Sequence, residues 1–139
     1  MKVVTYLAPV DEPHILAMGA RSLLECTVAQ NQIMMRANPG AFPPLYQSKV
    51  RFRPEPNAGE YEEFATADLV LRRGYGDCDD LVAYRVAELR EQGEDATIRI
   101  HWRDKGATTG RLYHVTVRRG KTRKFPDGEI EDPSRFLGM

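Results

Sequence analysis

Cys78 is the side chain of this sequence best suited to covalent chemistry, and its neighbours decide whether it can react. It lies in the stretch RRGYGDCDDLVAYRVAELREQG, after two glycines and among the carboxylates of Asp77, Asp79 and Asp80. Nearby negative charge makes a thiol harder to ionise. The first turn of a helix has the opposite effect, because its N–H groups and dipole stabilise a thiolate.

The residues after Gly76 predict that a helix starts here. Asp77 is a suitable N-cap, and Asp80 follows at capping-box spacing. An apolar stripe then predicts a helix over Asp79–Gln92. The stripe consists of Leu81, Val82, Ala83, Val86, Ala87 and Leu89. We expect the aspartates to cap the helix or to point away from the sulfur. The later charged residues, Arg85, Glu88, Arg90 and Glu91, are expected to face solvent.

A reactive thiol also needs a base, and the chain has three histidines. His14 is expected at the surface, and His101, near a strand end, has no clear role. His114 lies in the middle of the predicted strand RLYHVTVRR, where a histidine is usually a core residue. A hairpin through PDG would bring the strand EIEDP back beside it and place Asp132 next to His114. Asp132 could then accept one imidazole N–H and leave the other nitrogen for a thiol.

The remaining elements predict an α+β fold in a single domain, 1–139. VVTYLAPV indicates a short strand or extended arm, and a helix is predicted from Glu12 or Pro13 to about Met35. Cys26 lies within that helix and is expected to pack into the hydrophobic core of the protein. Residues 38–60 are proline-rich, with one short strand at Lys49–Arg53, and a short helix is predicted over Tyr61–Arg72. The strand ATIRIHWR joins the two already named in an antiparallel sheet after the helices.

Composition excludes little but favours a globular protein. Lysine plus arginine equals aspartate plus glutamate, 20 of each, so no net charge favours nucleic acid or an anionic membrane. The basic run RRGKTRK is expected to be a solvated hairpin tip or, less favourably, a contact for a partner or a phosphate. No segment has the roughly 18 apolar residues of a membrane span, and no signal peptide is expected. Two cysteines predict no disulfide framework and a cytoplasmic location.

Three segments in order resemble the transglutaminase-like cysteine peptidases of the papain-like superfamily: GYGDCDDLVAYRVAELREQG, YHVTV and DGEIEDPSR. The resemblance covers residues 60–134, and residues 1–59 form an N-terminal helix and a Pro-rich connection that match no pattern. It implies a nucleophile helix packed on a small antiparallel sheet. The small size and the ending EDPSRFLGM are most similar to members encoded by bacteriophages and prophages.

The resemblance implies a role for each site residue. Cys78 would be the nucleophile, His114 the general base and then acid, and Asp132 the residue that orients His114. The Cys78 N–H would form part of an oxyanion hole, with a second donor left open among Asn31, Gln47, Asn57 and Tyr75. No cofactor is expected, although some relatives bind calcium through acids beside the cysteine, which would here be Asp77, Asp79 and Asp80.

These roles predict a hydrolase that cleaves a peptide or isopeptide amide through an acyl-enzyme. The same site would be a transamidase if an amine replaced water. The alternative from another class is a phage virion or assembly protein that uses the fold as a binding scaffold. The expected partners are a protein or peptide substrate and phage structural proteins, in the host cytoplasm or in a phage particle. A zinc site is disfavoured, because one cysteine and one histidine fall short of four ligands.

Overall fold

The structure, a computed structural model, describes residues 2–5, 13–55, 62–104 and 111–139. Two long helices, α1 (Pro13–Ala37) and α3 (Cys78–Glu91), pack on each other and on a three-stranded sheet. The described residues therefore combine helix and antiparallel sheet, and this confirms the α+β prediction. None of the helices described is long and apolar enough to cross a membrane.

The main sheet has the order β5 (Ala96–Asp104), β6 (Arg111–Arg119) and β7 (Glu129–Glu131), all antiparallel. The three strands predicted after α3 are thus present. β5 and β6 pair over their whole length, whereas β7 pairs only with residues 117–119 of β6. The central strand therefore has no β7 partner beside His114.

Two smaller strand pairs stabilise the chain around the start of α3. β1 (Lys2–Thr5) pairs antiparallel with β3 (Glu62–Ala65), and β2 (Arg51–Phe52) pairs parallel with β4 (Tyr75–Gly76). The predicted short strand at Lys49–Arg53 is therefore present in shortened form. Two short helices complete the described elements with one 3₁₀ turn: α2 (Ala67–Arg73), α4 (Pro133–Phe136) and Leu45–Gln47.

The predicted helix over Tyr61–Arg72 is wrong in its first half. Glu62–Ala65 form strand β3, and the helix begins only at Ala67, after the extended N-cap residue Thr66. The reason is tertiary, because β3 takes its hydrogen bonds from β1, about sixty residues earlier in the chain. Local periodicity contains no information about such a partner.

The core lies between α1, α3 and the sheet. Its members include Leu24 and Val28 of α1, Val82 and Val86 of α3, and Ile98, Val115 and Val117 of the strands. Cys26, expected in this core, is exposed instead. Each helical residue is rotated by about 100° from the one before it, so Cys26 lies about 200° around the helix from Leu24 and faces away.

Asn31 connects α1 to the start of α2. It is fully buried, and its Oδ1 accepts the backbone N–H of Ala67 at 2.8 Å. Ala67 is the first residue of α2, so its N–H has no acceptor within that helix. A side chain of α1 thus satisfies a donor that the short helix cannot satisfy itself.

We expect Asn31→Leu to lower the free energy of unfolding by about 1–3 kcal/mol, because the Ala67 N–H would be buried without an acceptor. Urea denaturation measures the difference. The matched control is Gln32→Leu on the same helix, where only a solvent-exposed bond to Glu91 is lost. That change should stay within about 0.5 kcal/mol. Equal effects of the two substitutions would contradict this role of Asn31.

Candidate functional site

The predicted capping box is present at the start of α3. Asp77 is the N-cap, its Oδ1 accepts the Asp80 N–H at 3.3 Å, and Asp80 Oδ2 accepts the Asp77 N–H at 3.3 Å. Cys78 is consequently the first residue of the helix. Its half-buried side chain packs at the border of the core cluster. The thiol therefore lies where N–H groups at a helix start stabilise a thiolate.

Asp80 fastens this helix start to two other elements. Its Oδ1 accepts the Ala65 N–H of β3 at 2.7 Å, and its Oδ2 accepts Arg73 Nη2 of α2 at 2.5 Å. Arg73 also pairs with Glu63 at 3.0 Å. The buried carboxylate is thus matched by a cation and by backbone donors, as a buried charge requires.

Gly76 is needed for this close packing. A Cβ at residue 76 would lie 3.0 Å from Asp80 Cβ and 3.2 Å from Leu81 Cδ2. A side chain at residue 76 would therefore displace Asp80, the partner of Asp77 in the capping box. This accounts for the second glycine of GYGD, which precedes Cys78 by two residues.

Protonation reduces the negative charge beside Cys78. Burial, the charge of Asp79 and a hydrogen bond with Asp79 together raise the pKa of Asp77 to about 11. The pKa of Asp80 is also raised, first by burial and then by the charge of Asp77. Asp77 is therefore protonated at neutral pH, and the cluster opposes ionisation of the thiol less than three carboxylates would.

Asp77, Asp79 and Asp80 bring one carboxylate oxygen each within 4.8 Å of one another. A hard cation would be bound by such oxygens. Here, however, two of the three residues form the capping box, and Arg73 already supplies a positive charge at Asp80. These contacts fit helix capping better than a calcium cage.

His114 and Asp132 are joined directly, as predicted, but the expected pairing of the strand beside His114 is wrong, because β7 pairs only with residues 117–119 of β6. The Nε2 of His114 lies 2.9 Å from Asp132 Oδ2, and each side chain is 20% exposed. Asp132 Oδ1 in turn accepts the Arg135 N–H at 3.4 Å and caps α4. Because a carboxylate only accepts, Nε2 carries the proton in the neutral ring, and the Nδ1 lone pair is left for another group.

A second histidine ring lies beside this pair. His101 is the cross-strand partner of His114, and the two ring centroids are 5.4 Å apart in an edge-to-face arrangement. Arg99 Nη1 lies 3.3 Å from His101 Nδ1. His101, whose role the sequence left open, is therefore a neighbour of the proposed base.

The pleat of β6 places His114 and its neighbour Val115 on opposite faces. Val115 and Val117 are buried in the cluster that contains α3 residues. Since strand side chains alternate, the rings of His114 and His101 start from the other face. Cys78 packs on the α3 side. Cys78 and His114 thus start from opposite faces of the sheet. A contact between the thiol and the imidazole would have to pass the edge of β6 before residue 117, where no β7 strand is paired.

The four candidates for the second oxyanion donor have different environments. Asn31 is buried and bonded to Ala67, and Gln47 is exposed in the 3₁₀ turn. The Tyr75 ring has guanidinium groups of Arg53 and Arg73 at 4.8 and 4.6 Å from its centroid. Asn57 lies outside the described residues. Of the four, Tyr75 is the closest to Cys78 in sequence.

The prediction that Arg85 and Glu88 face solvent is wrong. Arg85 donates to Glu131 Oε1 at 2.6 Å and to Glu88 Oε1 at 2.6 Å, and its side chain is only 13% exposed. Glu88 is buried and accepts the Leu45 N–H at 3.0 Å. Arg90 is also half-buried and pairs with Glu25, whereas Glu91 is exposed as predicted. No local pattern shows this burial, because Glu131, the partner of Arg85, lies 46 residues further along the chain.

Glu131 is the centre of this network. It also accepts the Tyr46 hydroxyl and Arg119 Nη1, the latter at 3.4 Å. Burial alone would raise the pKa of Glu131, but the donors from Arg85 and Tyr46 lower it below its ordinary value. Glu131 is therefore a carboxylate at neutral pH, and it directly precedes Asp132.

The fold and site together describe an α+β protein with a thiol at a helix start and a strand histidine bonded to an aspartate just beyond the last strand of the sheet. In comparisons with known proteins, the chain matches no family model, no curated protein and no solved structure. The functional assignment therefore depends on the geometry of the site.

The pH dependence of stability tests the protonation of Asp77. Its pKa is higher in the folded protein than in the unfolded chain, so the folded protein binds the extra proton between about pH 4 and 11. The free energy of unfolding should therefore fall with rising pH in this interval, by at most about 1.4 kcal/mol per pH unit from this group. Asp77→Asn should make the dependence shallower, as measured by urea denaturation from pH 5 to 9.

The control for this prediction is Asp77→Ala. Asparagine retains the cap, whereas alanine loses it and should cost about a further 1 kcal/mol at every pH. If the wild type and Asp77→Asn have parallel stability profiles, Asp77 does not retain a proton in the folded protein.

Proposed function

We propose that this protein is a cysteine hydrolase that cleaves a peptide or isopeptide amide, with Cys78 as nucleophile, His114 as base and Asp132 as the orienting group. The observation that carries the proposal is the bond between His114 Nε2 and Asp132 Oδ2. It fixes the tautomer whose Nδ1 can accept a proton from a thiol.

The environment of Cys78 supports the same proposal. Cys78 is the first residue of a well-capped helix. Asp77 and Asp80 cap that helix, Asp80 also pairs with Arg73, and Asp77 is protonated at neutral pH. The helix start favours the thiolate, and the aspartates oppose it less than three free carboxylates would. A cysteine with a purely structural role requires neither of them.

The proposed reaction has two steps. The Cys78 thiolate attacks the carbonyl carbon, and His114 gives the proton taken from the thiol to the leaving amine as the C–N bond breaks. Water then attacks the acyl-enzyme and passes a proton to His114, the C–S bond breaks to release the carboxylic acid, and His114 returns the proton to the Cys78 sulfur. If an amine takes the place of water, the product is a new amide and the reaction is transamidation.

A binding scaffold is the second candidate, and one observation favours it. The ring of His114 starts from the face of β6 opposite to the residues that pack against α3. In a scaffold, the His114–Asp132 bond would serve the fold, and no contact between His114 and the Cys78 thiol would be required. The similarity to phage-encoded members makes a virion or assembly role in a bacterial host the form of this candidate.

Thiol reactivity distinguishes the two candidates. In the hydrolase, Cys78 should react with iodoacetamide well above the rate of a model thiol below pH 7, because the imidazolium stabilises the thiolate. His114→Ala should abolish the advantage. Peptide mapping separates Cys78 from the exposed Cys26, which serves as internal reference. A Cys78 that titrates like a free thiol near ~8.5 would refute the hydrolase and leave the scaffold.

Asp132→Asn tests the orienting role. The variant should keep the fold but reduce Cys78 alkylation at pH 6 by roughly tenfold or more, because an amide can select the wrong imidazole tautomer. Arg135→Ala is the control, since it removes only an exposed contact to Asp132 at 3.5 Å. The orienting role is wrong if both variants retain wild-type reactivity.

A further inference from the structure

Asp132 lies at a weakly supported point of the sheet. β7 has three residues, and its last ladder pair is Glu131 with Val117. Asp132 itself is beyond the ladder, and His114 is three residues further along β6. Short edge strands with few ladder bonds open easily. The position of Asp132 therefore depends on what holds Glu131.

Side-chain contacts hold Glu131 in addition to the strand pairing. Arg85 approaches both of its oxygens, Nε to Oε1 at 2.6 Å and Nη2 to Oε2 at 3.4 Å. The two side chains are 13% and 15% exposed, so water competes little for the pair. Such a two-pronged guanidinium–carboxylate contact fixes direction as well as distance.

Arg85 also belongs to the helix that carries the thiol. It follows Cys78 by seven residues, which places the two about 20° apart around α3 and about 10 Å apart along it. The second contact of Arg85, to Glu88, and the Glu88 bond to Leu45 N–H hold the guanidinium in place. One side chain thus links the nucleophile helix to the residue before Asp132.

We propose that Arg85 is a positioning residue that, through Glu131, sets where Asp132 meets His114 relative to helix α3. This inference deepens the proposed function and rests on it for its catalytic meaning. Arg85 does not contact the reacting atoms. It defines the end of β7, and so the imidazole tautomer that faces the thiol.

The test uses Arg85→Met, which keeps an apolar side chain of similar length and removes the guanidinium group that contacts both Glu131 oxygens. The ¹⁵N chemical shifts of the histidine rings report which nitrogen of His114 carries the proton. We expect the wild type to hold Nε2–H, and the variant to show a mixture of tautomers and a roughly tenfold slower alkylation of Cys78 at pH 6. Arg85→Lys, with one charge but no guanidinium group, should fall between them.

The matched control is Arg90→Met, which removes another arginine of α3. Arg90 pairs with Glu25 of α1 at 2.7 and 3.0 Å, donates to the Ala96 carbonyl of β5 at 2.9 Å, and has no hydrogen bond to β7 among the described residues. It should lower the melting temperature without changing the His114 tautomer. If Arg90→Met changes the tautomer as much as Arg85→Met does, the effect is general stability and the proposal is overturned.

The ¹⁵N shifts of the His114 ring test the positioning role of Arg85 independently of the proposed hydrolase activity. A wild-type Cys78 with ordinary reactivity would refute the hydrolase, whereas a change of tautomer in Arg85→Met would still support the positioning role. An unchanged tautomer in a folded Arg85→Met overturns it. If Arg85→Met does not fold, Arg85→Lys and Glu131→Gln give the same two outcomes.

Discussion

The burial of helix α3 is the constraint on which the rest of the structure depends. Nearly every residue from Asp79 to Leu89 is buried, and the helix carries charges that cannot all reach water. Four of these charged side chains are bound by other elements: Asp80 by Arg73 of α2 and the backbone of β3, Arg85 by Glu131 at the end of β7, Glu88 by the 3₁₀ turn and Arg90 by α1. Because an unpaired buried charge is costly, these pairings fix where the surrounding elements lie.

The same constraint explains how an acidic sequence can surround a thiol. At the surface, three aspartates beside Cys78 would be solvated carboxylates. Inside the protein two of them form the capping box, one also pairs with Arg73, and burial favours their protonated forms. Their residual charge near the sulfur is therefore smaller than composition suggests. Interactions that are needed to bury the helix also produce the electrostatic setting in which a cysteine can ionise.

The sequence was most informative where the determining interactions are short-range. The capping box spans three residues, and the His114–Asp132 bond follows from one hairpin, so both could be predicted. Arg85 could not, because its partner Glu131 is 46 residues away. Strand β3 was predicted as helix for the same reason, since its partner β1 lies near the start of the chain. Cys26 was misplaced because the buried side of α1 is set by Leu24 and Val28, not by an isolated apolar residue.

The two faces of β6 connect the fold to the question of activity. Val115 and Val117 join β6 to the core with α3, and Glu131, the partner of Val117, faces the same side to reach Arg85. His114 and Asp132 take the alternate positions and bond to each other on the opposite side. In the proposed hydrolase, the thiol would therefore meet the imidazole at the end of β6 that β7 leaves uncovered. Movement of β7 relative to α3 would change that meeting point, so under this proposal the Arg85–Glu131 pair would couple core packing to thiol chemistry.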